Sequence, residues 1–150
     1  MTAAARPKHF PPGSGKTYTL GRITLTFKMT AADNAGAYTL CETLEPPDSG
    51  AGLHRHPSYD ETHIICDGHF ECQLGEQVLK LGPGDMMFVP RGTPHSVKSV
   101  GPEIGRELII SSPGGIFDAF IDEVVKSMTN GGSGANFRAI AARYGIEFLD

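Results

Sequence analysis

The feature that most constrains this chain is a succession of short segments in which apolar and polar residues alternate, each ended by a turn signal. Ile23, Leu25, Phe27 and Met29 alternate with Arg22, Thr24, Thr26 and Lys28, as they do on a strand with one face against a core. Short β-rich segments follow at 37–44, 61–66, 69–74, 77–81, 86–90, 95–100 and 106–111. Between them fall Asp33-Asn34, Pro46-Pro47-Asp48-Ser49-Gly50, Asp67-Gly68, Gly75, Gly82-Pro83-Gly84 and Gly101-Pro102, residues that favour turns. Strands this closely spaced, with no helical segment between them, indicate antiparallel neighbours in a sandwich or barrel. The predicted fold is all-β, with the β-unit at 17–115. A chain of 150 residues with 19 glycines and 11 prolines suits one domain with many tight turns.

The two ends read differently. Residues 1–16 are rich in Ala, Pro and Gly without periodicity and are predicted to form a flexible arm. The string Gly13–Thr17 imitates the end of a phosphate-binding loop, but the first glycine of that motif would fall on Phe10, and no apolar strand precedes it. In 116–150, Phe117, Phe120, Ile121, Val124, Val125 and Met128 share one helical face. Asn130 to Gly134 then break the chain, and a second helix presents Phe137, Ile140, Ala141 and Tyr144, with Asn136 as N-cap and Gly145 as stop. Both stripes are expected to pack on the β-unit; covering one of its mouths or meeting another subunit are the alternatives.

Charge excludes some functions. With 13 Lys+Arg against 17 Asp+Glu and no basic run, the chain lacks the footprint that displaces counterions from nucleic acid. Apolar runs are far short of the ~20 residues that span a bilayer, and the N-terminus has no signal-peptide core. Cys41, Cys66 and Cys72 lack ligand-type spacing, which fits reduced thiols. These readings predict a cytoplasmic protein with no nucleic-acid or membrane partner.

His54, His56, His63 and His69 cluster within one stretch. On a strand His54 and His56 point to the same face, where two imidazoles can share a cation. Glu61 follows after a segment containing Pro57, and His95 starts a later strand after two turn signals. Three imidazoles and a carboxylate that converge can hold one divalent transition metal (Fe, Mn, Ni, Co or Zn) and leave positions open for water or substrate.

These residues resemble the two motifs of the cupins. Gly-x5-His-x-His-x3,4-Glu-x6-Gly is matched by His54, His56, Glu61 and Gly68; Gly-x5-Pro-x-Gly-x2-His-x3-Asn is matched by Gly84, Pro90, Gly92 and His95. The leading glycine is replaced by Asp48 and the closing asparagine by Ser99, both outside the metal set. The resemblance implies an antiparallel double-stranded β-helix, the cupin jelly-roll barrel, with a C-terminal helical extension. It also implies a metal held by His54, His56, Glu61 and His95, and homodimers that exchange edge strands. The tail resembles small single-barrel cupins grouped as quercetin-dioxygenase-like.

Asp60 is the rival ligand to Glu61. If Glu61 points inward so do His63 and Ile65, leaving Asp60 outside. His63 then lies beside the metal, either as a catalytic base or substrate donor alongside Glu61, or as a partner that fixes a ligand. Parity also places Phe70, Cys72, Phe88 and Val97 on pocket walls, which suits a small organic substrate; core packing accounts for the same residues. The functional expectation is a metal-dependent, oxygenase-type enzyme for an aromatic or enolisable substrate. The alternatives are a non-oxidative isomerase, cyclase or decarboxylase, and a ligand-binding module without turnover.

Overall fold

In the computed structural model, which describes residues 4–131 and 135–150, two antiparallel sheets face one another. The strands are β1 (Lys16–Leu20), β2 (Ile23–Met29), β3 (Thr39–Glu45), β4 (Gly50–Arg55), β5 (Asp60–Asp67), β6 (His69–Leu74), β7 (Gln77–Leu81), β8 (Met86–Val89), β9 (His95–Val100), β10 (Gly105–Ser112) and β11 (Glu147–Phe148). One sheet has the order β1-β2-β3-β10-β5-β8, the other β11-β4-β9-β6-β7, and every pairing is antiparallel. This is the expected jelly-roll barrel. Residues 4–15 precede the first strand.

Period two decides what each strand contributes to the interior. On β10 Glu107, Ile109 and Ser111 are buried, on β5 Glu61, His63 and Ile65, and on β3 Thr39, Cys41, Thr43 and Glu45. Gly68 makes the passage from β5 to β6: its φ is +78°, and a Cβ there would lie 2.8 Å from Gly105 Cα, so both conformation and space require glycine.

The interior divides in two. Ile65, Phe70, Cys72, Met87, Val89 and Val97 fill one end. The other end is closed by helices α1 (Ile116–Thr129) and α2 (Ala135–Arg143), whose Phe120, Ile121, Val124 and Ile140 pack against Leu25, Phe27, Cys41 and Ile109. Those four barrel residues are inward-facing, so the helices cover a mouth of the barrel. Asn136 lies inside α2 rather than capping it, because the helix already begins at Ala135. Gly145, at φ +75°, ends α2 as predicted. Ile146 N–H donates to Ala141 O at 2.9 Å and Gly145 N–H to Ala142 O at 3.1 Å, the reciprocal pair of a Schellman cap. That cap turns the chain into β11, which pairs Phe148 with His54 on β4; so short a strand carries no readable periodicity. No helix among the described residues is long and apolar enough to cross a membrane.

Candidate metal centre

The two sheets bring the four predicted ligands together from three places. His54 on β4 pairs with His95 on β9, after an irregularity between Ala51 and His54 shifts the register. Such a bulge re-aims side chains, and here the two imidazole centroids lie 4.2 Å apart. His56 follows the end of β4, its ring stacked on buried Tyr59 at 4.0 Å and 5°. Glu61 enters from β5 on the facing sheet. His56 Nε2 is 3.2 Å from His95 Nε2. Glu61 Oε1 is 3.5 Å from His95 Nε2 and Oε2 is 3.6 Å from His56 Nε2.

Hydrogen bonds on the far side of each ring set the tautomers. Nδ1 of His54, His56 and His95 donates to the carbonyls of Gly52, Tyr59 and Thr93 at 2.6, 3.0 and 2.9 Å. The proton is thus on Nδ1 and the lone pair on Nε2. Burial, then the neighbouring His95, push His54 down to about 4, which keeps it neutral. Bare lone pairs on His56 and His95 at 3.2 Å repel unless a cation lies between them, and about 3 Å is the spacing of adjacent nitrogens each bound ~2.1 Å from one ion. The donor set therefore fits a divalent transition metal. Candidate ligand atoms form two overlapping triplets, His54-His56-His95 and Glu61-His63-His95.

Behind Glu61 lies a buried charge chain. His63 donates from Nε2 to Glu61 Oε1 at 2.7 Å and from Nδ1 to Glu107 Oε2 at 2.9 Å. Burial opposes the charge on His63, but Glu107 and Glu61 outweigh it and hold the ring well above its ordinary value. Burial likewise opposes ionisation of Glu61, and the charge and hydrogen bond of His63 hold it well below the usual carboxylate range. An imidazolium with both nitrogens donating has no lone pair with which to accept a proton. Both nitrogens of His63 are engaged by carboxylates, which places the ring to orient Glu61. Asp60 points outward and accepts from Arg91 Nε and Nη2, both at 3.1 Å, so the rival carboxylate is engaged elsewhere.

A cavity of about 220 Å³ adjoins the cluster. Its polar wall includes His54, Glu61, His63, Glu107 and Glu45; its apolar wall includes Phe117, Phe120, Phe137 and Phe148. Phe148 stacks on His54 at 5.4 Å and 28°, so the C-terminal segment touches a predicted ligand directly. No Lys or Arg is among the described residues lining this space.

Comparison with known proteins bears on the same residues. Residues 41–111 match the family model described as "Cupin domain". That part of the barrel is similar to a cupin domain. KdgF from Halomonas sp. superposes with a TM-score of 0.64 at 17% identity, covering 72% of this chain and 94% of that one. The polyketide cyclase RemF from Streptomyces resistomycificus gives 0.61 at 21%, covering 72% and 80%. Uncharacterized protein MJ1618 of Methanocaldococcus jannaschii is 29% identical over 63 residues, 42% of this chain and 50% of that protein. The chain thus matches about half the length of this curated relative.

The pocket walls differ from the parity reading. Val97 lines the cavity. Phe70 and Cys72 point inward, but into the filled end of the barrel, because parity distinguishes inside from outside and not hollow from packed. Phe88 is 52% exposed while Met87 and Val89 are buried: in the all-apolar run 86–89 no alternation marks the inner face. Sequence reasoning also missed Glu45 and Glu107. Their signal was a charged residue at an inward position among apolar neighbours, Glu107 before Ile109 and Glu45 after Cys41 and Thr43.

Proposed function

We propose that this cupin is a metal-dependent enzyme of the oxygenase type, acting on a small, uncharged, aromatic or enolisable substrate. The observation that carries the reading is the position of the imidazole-carboxylate cluster at the edge of a mostly apolar cavity. His54, His56, Glu61 and His95 would hold the ion, and a bound divalent metal supplies orientation and polarisation of a substrate oxygen. The chain's own residues do the rest. The backbone carbonyls of Gly52, Tyr59 and Thr93 keep three Nε2 lone pairs free, and His63 fixes the Glu61 carboxylate. The phenylalanines of the helical segment exclude water from the space beside the cluster. Three carboxyl groups, Glu45, Glu61 and Glu107, and the lack of a Lys or Arg among the described lining residues disfavour anionic substrates; the one cationic ring there, His63, is already engaged by Glu61 and Glu107. A quercetin-dioxygenase-like specificity is one member of this class.

The test is O₂ uptake with flavonols, catechols and β-diketones after anaerobic loading with Fe, Mn, Co or Ni. Turnover that requires O₂ is the expected result. Substrate loss without O₂ would replace this reading with an isomerase, cyclase or decarboxylase, and metal uptake with no turnover would leave a binding module.

A further inference from the structure

Glu45 closes β3 with its side chain inside the barrel, 4% exposed, on the wall of the cavity that also holds Glu61 and His63. Its Oε1 accepts from Thr43 Oγ1 at 2.9 Å, while Oε2 is met by no hydrogen-bond donor of the protein. A bare carboxylate oxygen in such a place is costly. Burial, followed by the adjacent negative Glu107, pushes the Glu45 carboxyl up to about 9, so it is a neutral acid near pH 7. Because the Thr43 hydroxyl occupies Oε1, the proton belongs on Oε2, where it faces Glu107 and the cavity. Glu45 makes no hydrogen bond to the four candidate ligands and is in neither group of side chains that could hold a metal. Thr43 pairs with Glu107 across β3 and β10, and Glu107 reaches His63 from there, so Glu45 stands two strands from Glu61.

We propose that Glu45 is the second polar anchor of the cavity, recognising an uncharged phenol, enol or carbonyl oxygen at the far end of a flat, largely hydrocarbon ligand whose first oxygen faces the imidazole cluster. This deepens the substrate reading above and rests on it. The acid O–H donates to such an oxygen, and Oε2 accepts from it when the ligand carries a hydroxyl. Phe117, Phe120, Phe137 and Phe148 supply the face against which the rings lie. They belong to a segment outside the residues that match the cupin domain.

Equilibrium titration of 2-naphthol, 2,6-dihydroxynaphthalene and 6-hydroxy-2-naphthoate into Zn-loaded and metal-free protein tests the proposal. The wild-type chain is expected to bind the diol about five- to tenfold more tightly than the mono-ol, the effect of one added buried hydrogen bond, and to bind the carboxylate least. Glu45→Gln, a neutral isostere, keeps the preference and Glu45→Leu abolishes it. Equal affinity for diol and mono-ol, a preference that survives Glu45→Leu, or no binding of either naphthol overturns the assignment. If the leucine variant does not fold, crystals soaked with the diol decide: a second oxygen within hydrogen-bonding distance of Glu45 Oε2 supports it, and any other position overturns it. Failure of the metal reading is seen separately, as 2-naphthol affinity that is indifferent to Zn, since the diol to mono-ol ratio is read in both forms.

Discussion

Glu107 is 1% exposed and makes no hydrogen bond to His54, His56, Glu61 or His95, yet its carboxylate holds the imidazole that holds Glu61. Groups that orient a ligand typically change metal affinity ~10–100-fold when altered, so Glu107→Gln is expected to weaken the metal by about tenfold in competition with a chromophoric chelator. Unchanged affinity would mean that Glu61 needs no such support. Glu45 makes a pH prediction for the metal-free protein. Its folded value is raised to about 9, so above the unfolded value near 4.5 the native state binds the extra proton and stability falls as pH rises towards 9. His63, also raised, adds a loss of the same sign above its unfolded value of 6.5. Glu45→Gln should therefore flatten the decline between pH 6.5 and 9 by about 1 kcal/mol per pH unit, measured by urea denaturation at several pH values; identical slopes would refute it. At this scale the four candidate metal ligands were legible because their spacing encodes two strands and a bend. Glu45 and Glu107 could be read only as inward-facing, because the pairing of β3, β10 and β5 that brings them to His63 and the cavity is not written in the local sequence.

The elements around the site differ in how openly the chain announces them. Strands β2, β5 and β6 alternate clearly, and their inner faces could be read directly. β8 is apolar on both faces, which is why Phe88 was assigned inward, and β11 is two residues long. The helical segment was legible as two amphipathic stripes, but its place over the barrel mouth depends on Phe120 and Ile140 meeting Leu25 and Ile109 across the fold. Phe120 is 4% exposed and touches Phe137 and Tyr144 at centroid distances of 5.6 and 5.9 Å. Phe120→Ala is thus expected to cost about 3–5 kcal/mol in a denaturant melt, with a smaller loss showing that α1 collapses to refill the space. Gly145→Ala forces a side chain into φ +75° with Ser58 and Pro57 nearby. It should cost about 1 kcal/mol and loosen Phe148 from His54, visible as a lower Tm in the metal-free protein.

At the scale of the whole molecule, the outer face of the six-stranded sheet carries two cross-strand rows, Met86-Ile64-Leu108 and Phe88-Thr62-Ile110-Leu40. At about 4.8 Å between strands the first row crosses three strands, ~10 Å, before Glu42 ends it, and the second crosses four, ~14 Å; Met86 and Phe88 at the β8 edge are 65% and 52% exposed. Two large apolar side chains exposed side by side are costly in water and make this edge a candidate interaction face. We propose that a second copy of the chain covers it, since a two-fold axis through β8 would set Met86 and Phe88 of each copy against the same residues of the other, the self-complementary arrangement that a closed dimer uses. Sedimentation equilibrium at tens of micromolar should therefore report a dimer, and the double substitution Met86→Glu with Phe88→Glu should yield monomers. Both side chains point away from the barrel interior, so the variant is expected to keep the metal affinity of the wild-type chain. A wild-type monomer at that concentration, or a dimer untouched by both charges, would show that this face is closed by something else.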